Sequence, residues 1–308
     1  MIIHRGYKNR DIRSPVVTLG IFDGVHRGHR MLLDHLIERA VETGGESVVI
    51  TFFPHPRLVL EKDHHNLTFL TTPDEKRMLL ERAGIDHLMI LDFSWEFSRT
   101  EACDFVKDIL MGSIGAKYLI VGYDHHFGRR GAGDFDTLLQ CTGLTDFRVE
   151  KVPPLQIETG AVSSTLIREA LLKGRLDYAN NLLGYNYSVT GQIVEGKKIG
   201  RSIGFPTANI RPESQKLIPA NGVYAVEVKT GDGTFPGMLS IGTNPTVSRE
   251  KGLRTIEVHI LNFDREIYGD TITVVFRKRL RNEVRFKSVD QLAAQMERDK
   301  ADTLELFT

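Results

Sequence analysis

Residues 16–29 read Val16-Val17-Thr18-Leu19-Gly20-Ile21-Phe22-Asp23-Gly24-Val25-His26-Arg27-Gly28-His29, and this stretch is the most informative about the fold of the first half of the chain. The run Val16–Leu19 is apolar and β-branched, which favours a strand, whereas Met31–Val41 carries apolar residues at helical spacing. The two histidines therefore stand where a strand turns into a helix. A helix N-terminus exposes unpaired N–H groups and a partial positive charge, so it attracts anions such as phosphate.

The residue types in this turn suit attack at a phosphorus atom. Gly24 and Gly28 let backbone and ligand approach closely. The imidazoles of His26 and His29 can donate to the same phosphate oxygens as negative charge builds up during displacement. Paired histidines also occur as metal ligands or as ordinary polar residues at a helix cap, but a metal site would need a third ligand and the motif presents none. On the motif alone, phosphate chemistry and helix capping both stay open.

The rest of the first half alternates strands with helices. Apolar strand-like runs are predicted at 16–19, 47–52, 88–91 and 118–121, and amphipathic helices at 31–41, 74–83 and 101–111. This alternation predicts a Rossmann-like α/β domain with a parallel sheet. Ligands of such sheets bind beyond the carboxyl ends of the strands, where the strand order switches. We therefore expect the residues that follow predicted strands to converge on one crevice: His26, Pro54, His55 and Asp124.

The pattern changes after a short predicted helix, 177–183, which Gly184 closes. Strand runs follow at 187–194, 222–228, 237–241, 254–261 and 271–276, separated by Gly, Pro, Asn and Asp. Strands without long intervening helices predict an antiparallel barrel or sandwich, and a final amphipathic helix is predicted at 289–296. Since a domain holds roughly 100–200 residues, the 308-residue chain divides into two, which we place at 1–185 and 186–308.

Composition limits the classes of partner. With 40 basic and 40 acidic side chains, the chain has no electrostatic footprint for nucleic acid or an anionic membrane. It has neither a signal-like N-terminus nor an apolar run of about 18 residues, which predicts a soluble cytoplasmic protein. Cys103 and Cys141 both fall in predicted helices, so we expect no disulfide and a reducing compartment. The oligomeric state stays open, a homo-oligomer included.

Four ordered segments of the first half together resemble one known family. They are Thr18–His29, Thr51-Phe52-Phe53-Pro54-His55-Pro56, Gly122-Tyr123-Asp124-His125-His126-Phe127-Gly128 and Ser163-Ser164-Thr165-Leu166-Ile167-Arg168. The chain resembles the bacterial bifunctional riboflavin kinase and FAD synthetase family, within the nucleotidyltransferase superfamily that shares the histidine motif. The resemblance runs from Val16 to Arg298. His125 and His126 depart from the commoner, aromatic-containing form of the third segment.

For the N-terminal domain, the resemblance implies transfer of the adenylyl group of ATP to FMN, which yields FAD and pyrophosphate. His26 and His29 would be catalytic, and Pro54, His55 and Asp124 would contact the flavin. The ATP and phosphate contacts would be Gly20, Phe22, Asp23, Gly24, Gly28, Ser163, Ser164, Thr165 and Arg168. Local structure by itself also accounts for three of these segments. Residues 163–165 could cap a helix with their hydroxyl groups, and Asp124 could form a turn. Residues 51–56 could be a stiff exit from a strand, since two prolines prevent a helix.

For the second half, the resemblance implies a C-terminal antiparallel β-barrel with a terminal helix, which phosphorylates riboflavin to FMN with ATP. In Pro206-Thr207-Ala208-Asn209, the Thr207 hydroxyl and the Asn209 amide oxygen are hard ligands that suit Mg²⁺. Glu257 would be the base that takes the proton of the attacking hydroxyl. Glu257 alternates with apolar residues, so it could equally be an ordinary outward-facing residue of a half-buried strand.

The loop 196–204 holds three glycines and three basic residues, and it resembles a flexible cover over phosphates; a solvated hairpin tip has the same composition. The nucleotide and flavin contacts implied for the barrel are Gly196, Gly200, Arg201, Gly204, Pro206, Thr207, Asn209, Arg281 and Phe286. The expected ligands of the whole chain are Mg²⁺, ATP, riboflavin, FMN and FAD.

Two other functions compete with this one. The N-terminal domain could adenylylate a different small phosphate ester, because the histidine motif serves many nucleotidyltransferases. The chain could also bind flavin without turnover, although the positions expected to be catalytic carry chemically competent residues.

Overall fold

The structure, a computed structural model, describes residues 1–8, 11–61, 67–123, 128, 133–143, 146–157, 160–196, 204–243 and 254–307. The chain forms two compact units, Met1–Ser164 and Thr165–Thr308. The boundary between catalytic domains, placed at residues 185 and 186 from the sequence, stays a prediction.

The first unit is built on a parallel sheet of six strands in the order β1-β4-β3-β2-β5-β6. The strands are β1 (Ile2–Arg5), β2 (Pro15–Leu19), β3 (Glu46–Phe53), β4 (His87–Asp92), β5 (Tyr118–Gly122) and β6 (Arg148–Val152). The predicted Rossmann-like sheet is thereby confirmed. The strand order reverses at β2, which has β3 on one side and β5 on the other, so the histidine motif directly follows the strand at the switch point.

Helices cover both faces of this sheet. They are α1 (Arg27–Glu42), α2 (Pro56–Leu60), α3 (Pro73–Arg82), α4 (Ala102–Asp104), which continues as a π-helix (Phe105–Ile114), and α5 (Phe135–Thr142). Val17 and Val48 belong to the core under the π-helix, whereas Val16 and Val49 belong to the core under α1 and α3. Successive strand residues point to opposite faces, so a strand buried on both faces reads as a continuous apolar run.

Some elements of the first unit differ from the sequence expectation. The edge strands β1 and β6 were not predicted, since each carries charged residues. Residues 51–55 form the end of β3 and a non-helical exit, as expected, but the second proline of the segment does not prevent a helix. A helix begins at Pro56, a first-turn position where the missing N–H costs no hydrogen bond.

The expectation of no disulfide is wrong in this structure. Cys103 in α4 and Cys141 in α5 are joined by a disulfide, with their Cα atoms 5.0 Å apart. Both cysteines lie in helices, as predicted, but they are 38 residues apart in sequence. They meet only because α4 packs against α5, which composition and spacing do not reveal.

The second unit holds a closed antiparallel barrel in the order β10-β13-β12-β11-β14-β9, which confirms the predicted barrel. Its strands are β9 (Ser188–Val194), β10 (Ala208–Pro212), β11 (Gly222–Thr230), β12 (Gly233–Thr243), β13 (Arg254–Ile260) and β14 (Thr271–Arg281). A two-stranded hairpin, β7 (Gln156–Ile157) and β8 (Gly160–Ala161), precedes it in the chain, within the first unit.

Three helices complete the description: α6 (Ser164–Leu172), α7 (Leu176–Leu183) and α8 (Val289–Glu305). Gly184 closes α7 with a φ of +80°, as predicted, because this left-handed position favours glycine. The final helix is longer than predicted and packs Met296 and Leu304 against a cluster of Phe205, Met238 and Leu261. Within the described ranges, no helix combines the length and apolarity that a membrane crossing requires.

Candidate active sites

The loop between β2 and α1 has an unusual backbone. Phe22 has a φ of +51° and Val25 a φ of +35°, a region that β-branched and bulky residues rarely adopt. Both side chains are buried in the core under α1 and α3, which holds the loop in this shape. Strained backbone of this kind persists only where the surroundings enforce it, and it clusters at ligand-binding and catalytic sites.

The two motif histidines lie against each other at the start of α1. His26 is the N-cap residue, and its Nδ1 accepts a hydrogen bond from the backbone N–H of His29 at 3.3 Å. Their rings stack with centroids 3.7 Å apart. A Cβ at Gly28 would lie 3.3 Å from the His26 ring, so the glycine leaves room for the imidazole. The sequence placed these residues correctly at a strand-to-helix turn, and capping and a ligand-binding role coexist at His26.

The His29 ring is neutral and has a buried nitrogen atom available for hydrogen bonding. Burial lowers the pKa of His29 well below its ordinary value, and the electrostatic effects of His26 and Lys76 lower it further. The imidazole is therefore neutral at pH 7. Its buried Nδ1 has no hydrogen-bond partner in the part of the chain that the structure describes, although buried polar atoms normally have one.

Asp23 ties the loop to the chain that leads into α3. Its carboxylate accepts hydrogen bonds from the N–H groups of Leu70 and Thr71, both at 3.1 Å, and from the Thr71 hydroxyl at 3.3 Å. The N–H of Gly24 donates to the same hydroxyl at 3.1 Å. These contacts explain a buried aspartate structurally, and its predicted contact with ATP stays a prediction.

Ser164 joins this loop from far along the chain. Its hydroxyl donates to the backbone carbonyl of Asp23 at 2.8 Å, so Ser164 is bound to the histidine loop within the first unit. Arg168 lies one turn further along α6, in the second unit, where its Nη1 donates to the Thr165 hydroxyl at 3.4 Å. The ATP contacts predicted for Ser163, Thr165 and Arg168 stay predictions.

Lys76 is a charged residue of the first unit that sequence reasoning missed. It follows a capping box at the start of α3, in which the Thr72 N–H donates to the Glu75 carboxylate at 3.0 Å and the Glu75 N–H donates to the Thr72 hydroxyl at 3.2 Å. The Lys76 ammonium donates to the Thr51 hydroxyl at 3.5 Å. Burial lowers the pKa of Lys76 from 10.5 to about 8, against the opposing effect of the Asp23 carboxylate.

The end of β3 presents ring surfaces. His55 caps α2 by accepting from the Arg57 N–H at 3.1 Å, and its ring stacks on Phe69 at 4.3 Å. Phe53 is 49 % exposed, and Trp95, after the neighbouring strand β4, is 57 % exposed. Exposed aromatic rings at a ligand-binding sheet edge are suited to an aromatic ligand. The flavin contacts predicted for Pro54 and His55 stay predictions, and Asp124 lies outside the described residues, together with His125, His126 and Phe127.

In the barrel, Thr207, Asn209 and Glu257 lie together. Asn209 of β10 pairs with Glu257 of β13, and the Thr207 hydroxyl donates to the Glu257 carboxylate at 3.4 Å. A Cβ at Gly196 would collide with the Asn209 side-chain amide, which would have to move to make room. Glu257 is half-buried between buried Ile256 and Val258, as on the outer face of a strand, and it contacts the Pro-Thr-Ala-Asn segment through Thr207. Its predicted role as the base stays a prediction.

His259 holds this segment in place, a role that the sequence did not suggest. Its Nδ1 donates to the Pro206 carbonyl at 2.7 Å, and its ring meets Phe205 edge-on at 5.2 Å. Burial lowers the pKa of His259, so the ring is neutral and carries its proton on Nδ1 to make this bond. Gly204 has a φ of +81°, which favours glycine, whereas Gly200 and Arg201 lie outside the described residues.

A cleft opens beside Thr207 on the barrel. It is lined by Ile193, Pro206, Thr207, Ala208, Val258, Ile260, Phe263, Arg265, Glu266, Ile267 and Tyr268. An apolar lining with a few polar groups is typical of small-molecule sites.

Arg281 makes contacts within the second unit, with Asp299 and Phe286. The Arg281 guanidinium binds the buried Asp299 carboxylate of α8 in a forked ion pair, with contacts of 2.7 and 3.0 Å. It also lies 5.8 Å from the centre of the Phe286 ring. This pair fastens α8 to β14, and the ligand contacts predicted for both residues stay predictions.

A histidine-capped helix at the switch point of a parallel sheet, followed by a barrel with a Thr-Asn-Glu cluster, defines a class of two-unit enzyme that acts on nucleotide phosphates. A family model described as FAD synthetase matches residues 8–166, and one described as riboflavin kinase matches residues 183–307. The chain belongs to the bifunctional riboflavin kinase/FMN adenylyltransferase family. Both activities predicted from the sequence are thereby confirmed.

Similar proteins cover nearly the whole chain. A bifunctional riboflavin kinase/FMN adenylyltransferase of Listeria monocytogenes is 37% identical, over 96% of this chain and 93% of its own length. One of Escherichia coli is 40% identical, over 95% of this chain and 92% of its own length. Among solved structures, one described as a macrolide-efflux protein from Streptococcus pneumoniae is 34% identical and covers 98% of this chain and 99% of its own, with a TM-score of 0.89.

Proposed function

We propose that adenylyl transfer to FMN takes place at His26 and His29, and that phosphoryl transfer to riboflavin takes place at Thr207, Asn209 and Glu257. The observation that carries this proposal is that each family-matched region holds one such cluster, built from residues distant in sequence.

At the first site, an oxygen of the FMN phosphate attacks the α-phosphorus of ATP. The bond from that phosphorus to the β-phosphate bridging oxygen breaks, and pyrophosphate leaves with the electron pair. Because the FMN phosphate is already anionic at pH 7, no general base is needed. The neutral His29 imidazole donates one N–H to a phosphoryl oxygen, and the N-terminus of α1 adds its partial positive charge. Positioning and charge stabilisation supply the rate.

At the second site, the terminal ribityl hydroxyl of riboflavin attacks the γ-phosphorus of ATP. Glu257 accepts the hydroxyl proton, and ADP leaves. The Thr207 hydroxyl, at 3.4 Å from the Glu257 carboxylate, fixes the orientation of this base. His259 supports Thr207 through its hydrogen bond to the Pro206 carbonyl.

The barrel cluster suits Mg²⁺ by its chemistry. It offers a hydroxyl, an amide and a carboxylate, all hard oxygen donors, and Mg²⁺ usually takes one or two protein ligands and completes its shell with water and phosphates. Across the described ranges, no three His, Cys, Asp or Glu side chains form a group that could hold a metal ion, so the described residues alone do not build a metal cage. Mg²⁺ bound with ATP at Thr207 and Asn209 would neutralise charge on the transferring phosphate.

The exposed rings at the first sheet edge support a flavin site there. Phe53 and Trp95 follow the adjoining strands β3 and β4, and His55 lies two residues after Phe53. We assign the isoalloxazine ring to this surface because stacking on aromatic faces buries its large apolar area.

The catalytic domains are proposed to be 1–185 and 186–308. The end of α7 at Gly184 and the start of β9 at Ser188 support this division. We propose a cytoplasmic location, where ATP is produced. The disulfide between Cys103 and Cys141 argues against this location, since disulfides are rare in cytoplasmic proteins.

The test is a chromatographic time course of the purified chain with riboflavin, Mg²⁺ and excess ATP, resolving riboflavin, FMN and FAD. FMN should rise first and then give way to FAD, with ADP and pyrophosphate as co-products. FMN that accumulates without FAD would contradict the assignment of the first site.

A further inference from the structure

Lys76 is a partly buried cation that forms no ion pair with any of the described residues. An ammonium group has three N–H donors. Its hydrogen bond to the Thr51 hydroxyl is long, at 3.5 Å, and Lys76 makes no further hydrogen bond within the part of the chain that the structure describes. Taking a charge out of water is unfavourable unless a partner compensates.

The fold holds Lys76 at the histidine loop. The capping box of Thr72 and Glu75 fixes the first turn of α3, directly before Lys76. The preceding residues, Leu70 and Thr71, are bound to the Asp23 carboxylate of the loop. Buried hydrogen bonds therefore connect the histidine loop to the first turn of α3 and fix the position of Lys76 relative to the loop.

Its charge acts on the residues of the first site. Lys76 is one of the causes that lower the pKa of His29, and the Asp23 carboxylate acts on Lys76 in turn. An ordinary surface lysine would extend its ammonium into water and keep its usual pKa. The pKa of Lys76 is instead lowered to about 8 by burial.

We propose that Lys76 is a catalytic residue of adenylyl transfer, whose ammonium contacts an oxygen of the FMN phosphate and holds it for attack on ATP. This rests on the proposed first site. The ammonium compensates negative charge and neither gives nor takes a proton, so the bonds that form and break are those already given. A lysine acts here as a compact point charge for phosphate.

The acceptor is assigned to FMN and not to ATP because of the neighbours of Lys76. Its one hydrogen bond among the described residues goes to Thr51, in the strand that leads to Pro54, His55 and the exposed Phe53. Those residues form the proposed flavin surface. The ATP phosphates are assigned to the N-terminus of α1.

The experiment compares Lys76→Met, Lys76→Arg and a matched control, Arg77→Met. Arg77 is the next residue of α3 and carries the same charge, but it lies on the surface near Asp74 and Glu81. FAD formation is measured with FMN and ATP varied separately. Lys76→Met should lower kcat/KM for FMN by about ten- to a hundredfold, the usual effect of losing a charged hydrogen bond, and leave KM for ATP within about twofold. Arg77→Met should match the wild type, and riboflavin kinase activity should be unchanged in all three variants.

A pH profile separates a contact with phosphate from a structural role. In the wild type, kcat/KM for FMN should fall as the pH rises through about 8, because Lys76 then loses its proton. The Lys76→Met variant should lack this decline, and Lys76→Arg should stay level, since arginine keeps its charge. The second proton of a phosphate monoester dissociates near pH 6, so the charge on FMN is constant in this range.

The remaining outcomes overturn the proposal. A Lys76→Met variant equal to Arg77→Met would remove any catalytic role, and equal loss of both activities would show a structural one. A raised KM for ATP with that for FMN unchanged would make Lys76 an ATP ligand. A wild-type chain that forms no FAD would instead contradict the proposed first site itself.

Discussion

Asn209 and Glu257 stand directly opposite each other on β10 and β13, and Gly196 leaves the space that the Asn209 amide fills. The proposed base, Glu257, and the neighbouring amide of Asn209 are thus fixed by strand register, on rigid elements of a closed barrel. The same chain holds its other candidate site on a strained loop, where His26 and His29 stack.

The Glu257→Gln variant tests the barrel site. Glutamine keeps the shape and the contact with Thr207 but cannot take a proton, so FMN formation should fall by about 10²–10⁴. FAD formation from added FMN should be unaffected. Glu227→Gln, which changes a glutamate ion-paired with Arg277 on the same barrel, is the control and should retain both activities. A Glu257→Gln variant that phosphorylates riboflavin at the normal rate would exclude this base.

The His29→Ala variant tests the first site. Removing a hydrogen-bond donor to the developing charge should slow FAD formation by about 10²–10³, with FMN formation intact. His35→Ala is a suitable control, because His35 lies on the same helix and pairs with Glu150 at 2.9 Å. Steady-state rates with FMN and with riboflavin distinguish the two effects. Loss of both activities would point to misfolding and not to catalysis.

Gly28→Ala should separate stability from activity. Alanine in place of a helical glycine stabilises by up to about 1 kcal/mol. Its Cβ, however, would lie 3.3 Å from the His26 ring and displace it. We expect unchanged or higher resistance to urea together with slower FAD formation. A variant with normal FAD formation would show that the position of the His26 ring is not critical.

The place of Lys76 predicts an unusual dependence of stability on pH. The pKa of Lys76 is about 8 in the folded chain and 10.5 ordinarily, so the unfolded state binds more protons between these values and stability rises with pH there. At pH 7 the charged Lys76 side chain lowers the free energy of unfolding. The Lys76→Met variant should therefore be more stable than the wild type by about 1–3 kcal/mol. Urea unfolding at pH 7 and at pH 10.5 measures this. A gain that does not shrink at the higher pH would have another cause.

The disulfide can be checked chemically. Removing it by Cys103→Ser with Cys141→Ser should lower the free energy of unfolding of the first unit by about 2–4 kcal/mol. The wild type in excess reductant should then match the double variant. If thiol titration of the unfolded, unreduced chain finds two free thiols, the bond does not exist in solution.

Much of the fold follows from local patterns. The strands β2 to β5 are apolar runs because they are buried on both faces, and His26 and His29 were placed correctly because strand, turn and helix signals meet there. The edge strands β1 and β6 gave no such signal, since one side of each faces no neighbouring strand of the described sheet and charged residues are tolerated.

The roles of Lys76, Asp23 and His259 required tertiary structure. Lys76 is one of 40 basic residues, and only its burial beside the loop distinguishes it. Asp23 was predicted to contact ATP, whereas its observed partners are the backbone N–H groups of Leu70 and Thr71. Contacts between residues tens of positions apart leave no trace in local spacing.

The most direct test of two separate sites is complementation. His29→Ala and Glu257→Gln are each incubated with riboflavin, Mg²⁺ and ATP, alone and mixed, and FAD is quantified by chromatography. Alone, the first variant should accumulate FMN and the second should leave riboflavin unconverted, whereas the mixture should form FAD from the FMN that the first releases. FAD from riboflavin in either variant alone, or a mixture that accumulates FMN without forming FAD, would contradict two independent sites built on these residues.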